Sequence, residues 1–248
     1  LLNFRRRLDL FTDLEMGIGL EQAEIANEVL SEPASISYLL GNASKQTKIY
    51  LRTAWVHDVR DHRFFPILGD YFRMALSVER FATDQVKSNV NLQLEWNEFN
   101  QIARKFYSAF SVYGRYNSHK LLGYHDYKVL GYDYSIRGFE RYVSDGHAGF
   151  LIRTALRYHL LDKTDLRIRI LPKNYESLPI NIYLSYFAEY GRSSSDRVLI
   201  ENQLPNSNLA SMGVGLNFLF YNDRVLRAEY SYNSLNESGL YIHFKKAI

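Results

Sequence analysis

Carboxylates are the first residues in this chain whose types and spacing could do chemistry. Asp9, Asp13 and Glu15 occupy odd-numbered positions of one segment, and with Glu95 they could supply a general acid and a general base. The polar face of a β-strand produces the same spacing without catalysis, and that reading is the stronger one. No Gly-x-Ser-x-Gly elbow, phosphate-binding loop or His-Glu-x-x-His helix occurs. The seven histidines are scattered, and none has metal-ligand spacing; His159 and His243 fall on polar strand faces. The absence of cysteine excludes a disulfide scaffold and a thiolate metal site. No catalytic residue, metal or other cofactor is expected.

A different chemistry, recognition between fixed charges, is offered by Tyr134–Tyr142, YSIRGFERY. Two arginines and a glycine between aromatics can be a polar surface loop with a turn residue. Alternatively Arg137 belongs inside the molecule. A guanidinium so placed needs a partner, because an unpaired buried charge carries a prohibitive desolvation cost.

The elements that must position these residues are strands. From Leu8 to Leu20 the even positions read Leu, Leu, Thr, Leu, Met, Ile, Leu, while the odd ones are acidic, small or Phe11. The same period of two recurs in SNVNLQLEWN (88–97), AGFLIRTALRYHL (148–160), INIYLSYFAEYG (180–191) and VLRAEYSYN (225–233). Ten strands are expected: 4–21, 46–58, 70–82, 88–100, 102–116, 147–161, 180–191, 210–222, 224–235 and 239–248. Helical periodicity is confined to short pieces such as Glu21–Leu30. No linker or composition break divides the chain, so residues 1–248 read as one sheet-forming unit.

Length and composition separate two ways of using such a sheet. Sandwich strands average about 5–6 residues, whereas several here alternate for about ten or more, as membrane strands do. Twenty tyrosines within 15% aromatic residues suit a surface where one end of the ring is apolar and the other wet. No run is long and apolar enough for a membrane helix. A negative mean hydropathy is compatible with a membrane barrel, which alternates lipid-facing and lumen-facing residues. Asn222-Asp223 reads as a tight turn, and 22–45, 117–146 and 192–209 as long loops, as if short turns gather at one end. A net charge of +3 is too mild for a nucleic-acid binder, and Phe4-Arg5-Arg6-Arg7 is a solvated strand end. The fold expected is all-β, an antiparallel transmembrane β-barrel.

Three stretches then resemble the BamA/TamA superfamily of outer-membrane assembly barrels. In HDVRDHRFFPILGDYF, Arg60, Asp61, Phe65, Pro66 and Gly69 match an Arg-Asp…Phe-Pro…Gly signature, there a periplasmic turn. Ile136-Arg137-Gly138-Phe139 resembles the family's Val-Arg-Gly-Phe/Tyr motif, carried by a long extracellular loop that folds into the lumen. The resemblance pairs that arginine with an acidic residue of an Asp-x-Gly motif, here Glu189 and Gly191, with Glu in place of Asp. The family's second acid, in the strand after the loop, has Arg157 as its nearest equivalent, so Glu189 alone is the expected partner. Glu237, Gly239, Ile242 and Phe244 fit the terminal β-signal, followed by Lys245-Lys246-Ala247-Ile248.

The resemblance implies that these are about ten C-terminal strands of a barrel of about sixteen, with the POTRA domains and first barrel strands outside residues 1–248. It implies a non-enzymatic outer-membrane protein of a Gram-negative-type bacterium that inserts or translocates other proteins, with a lateral gate at its last strand. Its partners would be outer-membrane lipids and nascent outer-membrane proteins, with room for accessory assembly lipoproteins and no nucleic acid. Two alternatives stay open: a barrel secreting a fused passenger such as a patatin-like lipase, and a passive porin-like channel.

Overall fold

The computed structural model describes residues 1–26, 39–40, 43–82, 88–120, 122–167, 177–196, 202–220 and 224–246. Eleven strands alternate in direction: β1 (Leu2–Arg7), β2 (Thr12–Glu24), β3 (Lys45–Asp58), β4 (Gly69–Phe81), β5 (Ser88–Ala103), β6 (Phe106–Asn117), β7 (Ala148–Arg167), β8 (Ser177–Ser194), β9 (Leu209–Phe220), β10 (Arg224–Asn233) and β11 (Ser238–Lys246). They make one antiparallel sheet in chain order from β1 to β11. The two outer strands do not pair with each other, so the sheet is open.

The register turns the local alternation into two continuous faces. Leu14 lies opposite Trp55, Leu76 opposite Leu92, Val112 opposite Ile152 and Leu156 opposite Tyr186. Val214 then meets Tyr230, and Ala228 meets Ile242. These residues form an apolar outer face, still strongly exposed at its end, where Leu240 and Ile242 are each 69% accessible and Phe244 62%. The opposite face carries Glu15, Arg52, Arg73, Gln93, Arg115, Arg153, Glu189 and Glu229. A polar inside and a continuous greasy outside invert the arrangement of a water-soluble sandwich.

Three expectations need correction, and a fourth falls on residues that are not described. The segment 4–21 is a hairpin and not one strand, which makes eleven strands where ten were counted. The Asp9 carboxylate accepts the Phe11 N–H at 2.8 Å, and the Leu8 N–H reaches the Thr12 carbonyl at 2.8 Å, closing a four-residue turn. Five residues, an odd number, separate the last facing pair, Arg7 and Asp13, so facing partners share parity, apolar residues keep even positions across the reversal and the turn leaves no mark on the period. Glu21–Glu24, expected as helix, continue β2 opposite Lys45–Lys48; residues 27–30 of that segment lie outside the described residues. Of the connection expected over 162–179, residues 162–167 extend β7 to Arg167 and 177–179 open β8 at Ser177, while 168–176 lie outside the described residues. The Asn222-Asp223 turn lies outside the described residues.

Two chain segments fold onto the inner face and supply its apolar packing. The connection from β6 to β7 carries Val129, Leu130, Ile136 and Phe139 into a buried cluster with Tyr113, Leu151 and Leu209. At the opposite end, the turn between β3 and β4 inserts Phe65 among Tyr183, Leu219 and Val225, against β8, β9 and β10.

Candidate functional site

The site assembles around Arg137. Its backbone N–H donates to Glu189 Oε2 at 2.8 Å, its Nε to Glu189 Oε1 at 2.5 Å, and its Nη1 to Glu229 Oε1 at 2.9 Å. The guanidinium lies 3.8 Å over the centre of the Phe187 ring. Both carboxylates are almost wholly buried, at 3% for Glu189 and 2% for Glu229. Arg153 stands 3.7 Å from Glu189 and Arg227 3.9 Å from Glu229. Every buried charge therefore has an opposite charge nearby, which is the condition for keeping ions out of water.

Strand geometry explains how β8 and β10 place these groups. Phe187, Glu189 and Gly191 alternate onto the inner face of β8. Gly191 makes room for the loop, since a Cβ there would stand 2.9 Å from Ile136 Cδ1 and 3.0 Å from the Phe150 carbonyl. On β9, a Cβ at Gly213 would meet the Phe187 ring at 2.5 Å, and one at Gly215 would meet Glu229 Cγ at 2.8 Å. Two glycines of one strand thus leave space for the ring and one carboxylate arm of the clamp.

The loop tip is held on both sides of Arg137. Gly138 has φ +82, a left-handed conformation that turns the chain, and its carbonyl accepts from Asn233 Nδ2 at 2.7 Å. Phe139 and Ile136 are buried. Tyr134 stacks on Tyr113 with ring centroids 3.6 Å apart and donates to Glu95 Oε2 at 2.8 Å. Arg153 Nη2 donates to the Ser135 carbonyl at 2.5 Å. Glu95, a candidate acid-base group by sequence, binds a tyrosine hydroxyl of this loop, while Asp13 pairs with Arg5 at 2.5 Å.

Of the other sequence-singled residues, the β3–β4 turn is self-braced. Arg60 Nη2 donates to Asp58 Oδ2 at 2.7 Å and stacks on Tyr71, while Asp61 Oδ1 accepts from the Ile67 and Leu68 amides. Gly69 has φ +92, and a Cβ there would meet the Val59 carbonyl oxygen at 2.2 Å. Arg157 does not approach Glu189; its Nη1 donates to the Pro66 carbonyl at 2.5 Å and its guanidinium covers the Phe65 ring at 4.3 Å. The turn expected merely to join two strands folds inward and is gripped by β7. In the β10–β11 turn, Glu237 Oε1 accepts from Tyr142 at 2.7 Å. Gly239 faces inward on β11, and Ile242 and Phe244 face outward.

Sequence reasoning missed Glu229 as the second carboxylate. Its strand face was readable, because Arg227, Glu229 and Ser231 alternate against Ala228, Tyr230 and Tyr232. Its partner was not, because Arg137 lies 92 residues away in the chain and only the hydrogen-bond register brings Glu229 under the loop.

One further group could be mistaken for a metal centre. Ligand atoms of Glu21, His125 and Asp126 lie within 4.8 Å of one another. Lys48 Nζ pairs with Asp126 and stands 3.5 Å from Glu21, so an ammonium already holds the cation position. The cluster ties the long loop to β2 and β3.

Within the same loop Asp145 is fully buried, and burial pushes its carboxyl up to about 6; the Tyr132 and Tyr124 hydroxyls and Lys128 offset only part of that. A carboxyl raised on folding stabilises most below its unfolded value, and that contribution is lost as pH rises through about 6. The Leu130 and Ser144 amides, which bond each other's carbonyls at 3.1 and 2.9 Å, report on this region. Their hydrogen exchange, corrected for intrinsic rates, is expected to be slower at about pH 5 than at about pH 7.5. Asp145→Asn should flatten the difference; equal protection of the parent protein at both values would refute the assignment.

No family model matches the chain, and no curated protein matches it. Among solved structures it is similar to BamA from Haemophilus ducreyi, solved without POTRA domains 1–3, with a TM-score of 0.63 and 14% identity. The match covers 98% of this chain and 52% of that one, so the chain spans about half the length of the protein it matches. At this identity the likeness is one of fold: the chain is an all-β antiparallel sheet of the BamA barrel type.

Proposed function

We propose that residues 1–248 are the C-terminal strands of a BamA/TamA-like barrel that inserts or translocates other proteins at the outer membrane of a Gram-negative-type bacterium. The observation that carries this reading is the Arg137 clamp. An inward-folded loop is fixed by Glu189 and Glu229 to the same wall whose last strand is β11, paired with β10. The clamp braces the wall from within, beside the strand that this reading makes the gate.

The outer surface supports a lipid setting. Trp55 and Phe72, Trp96 and Phe110, and Phe106 and Tyr158 make ring contacts near one end of the strands, and Phe150 and Tyr190 near the other. On β7, Phe150 and Tyr158 are separated by about 27 Å at ~3.4 Å per residue. Aromatic girdles flank a band about 25 Å tall in membrane barrels.

An unpaired edge presents free N–H and C=O groups and is normally an aggregation hazard. Set in a membrane wall, it can template a client strand by β-augmentation while Leu240, Ile242 and Phe244 face the lipid. Such a protein needs no catalytic group; it needs a rigid wall, an accessible edge and clients, lipids and accessory lipoproteins to act with.

Residues 1–248 hold no cysteine, so Ile242→Cys would place the sole thiol of these strands on β11. In liposomes holding the full protein, an unfolded outer-membrane client with single cysteines along its terminal strand is expected to form a disulfide with position 242 as it folds. Client folding should also be faster than in empty liposomes. No cross-link and no acceleration, together with a large steady conductance, would favour the passive channel. Export of a fused passenger without client folding would favour the secretion barrel.

A further inference from the structure

His243 lies on the inner face of β11, opposite Arg227 of β10. Its Nε2 stands 3.7 Å from Glu140 Oε1 and 3.9 Å from Glu229 Oε2. Glu140 directly follows the Ile136–Phe139 tip. The second oxygen of each carboxylate, Glu140 Oε2 and Glu229 Oε2, is buried without a hydrogen-bond partner. Glu229 already shares Arg137 and Arg227. For Glu140, His243 is the one cation at salt-bridge distance among the described residues.

We propose that His243 and Glu140 form a proton-operated latch fastening the edge strand β11 to the loop tip. Its use as a regulator of client pairing rests on the insertion function proposed above. The groups facing the imidazole are Glu140, with Arg137 and Arg141 nearby, from the loop, Glu229 and Arg227 from β10, and Tyr241 on β11 itself. With His243 protonated, Glu140 has a counter-ion and β11 is held from its inner side as well as by β10. With the imidazole neutral, Glu140 remains a half-buried carboxylate without one, and β11 loses that inner fastening. Histidine is the side chain whose charge changes between about pH 5 and 8. The ion pair exists only with the imidazolium, so acid favours the latch and rising pH releases it.

Amide hydrogen exchange of the full protein in lipid nanodiscs, corrected for intrinsic rates, tests the latch. Protection of the β11 amides is expected to be about three- to fivefold higher at pH ~5.5 than at pH ~8, the span a partly exposed ion pair allows, while β4 and β5 stay unchanged. His243→Gln and, independently on the loop, Glu140→Gln should each remove the pH response, and His243→Lys should keep β11 protected at both values. A flat response in the parent protein, or one that survives in both neutral variants, would overturn the proposal. Client insertion scored on the same samples separates the two ideas. Exchange that responds without any insertion leaves the latch standing and sinks the insertion role; insertion with flat exchange does the reverse.

Discussion

Arg137→Ala is expected to cost about 3–5 kcal/mol of stability and, on the function proposed above, to abolish client insertion, because it leaves two buried carboxylates without their shared cation. Glu189 loses the Nε bond at 2.5 Å and keeps only the backbone N–H of residue 137 at 2.8 Å, and Glu229 loses its bond at 2.9 Å. Arg153 at 3.7 Å and Arg227 at 3.9 Å are too distant to replace those bonds without moving. Urea unfolding in micelles, followed by the mobility shift of unheated samples on gels, measures the loss. Arg137→Lys should recover only part of it, since one ammonium cannot serve two carboxylates and cover the Phe187 ring together. Adding Glu189→Gln and Glu229→Gln to Arg137→Ala should restore stability by removing the orphaned charges, yet leave insertion lost because the loop is untethered. An Arg137→Ala protein unfolding at the parent's urea concentration would show that the clamp holds nothing.

Gly213→Val should prevent the folded, heat-modifiable state from forming. A Cβ at this position would stand 2.3 Å from the Tyr230 carbonyl oxygen and 2.5 Å from the Phe187 ring. The first neighbour is backbone of β10, which cannot yield without breaking the ladder that presents Glu229. The second is the ring under the Arg137 guanidinium, so any relief is gained by dismantling the clamp. Overpacking alone typically costs about 1–3 kcal/mol; here the loss of the buried ion pairs is added to it. Gly114→Ala is the matched control, because a Cβ there meets nothing within 4 Å. Its mobility and unfolding should equal the parent's. If Gly213→Val folded as well as Gly114→Ala, the packing account of the β8–β10 wall would be wrong.

Both expectations depend on facts of different legibility. Which residues face the same side could be read directly: Glu189 shares the polar face of β8, and Leu240, Ile242 and Phe244 share the apolar face of β11, because successive side chains of any strand alternate. The need of Arg137 for a carboxylate was equally legible, since it follows from desolvation alone. Whether the segment 4–21 is one strand or two was not. An odd number of residues, five, separates its last facing pair, so partners keep the same parity and a period of two is blind to the reversal.

The chain by itself thus determined the all-β class, the two faces of each strand and the charge that had to be neutralised, all properties of neighbours along the backbone. Tertiary structure alone decided that Glu229 completes the clamp, that Gly213 and Gly215 give it room, and that Arg157 grips the β3–β4 turn. Those facts depend on the register between strands and on where loops return, and both are set by contacts between residues far apart in the chain.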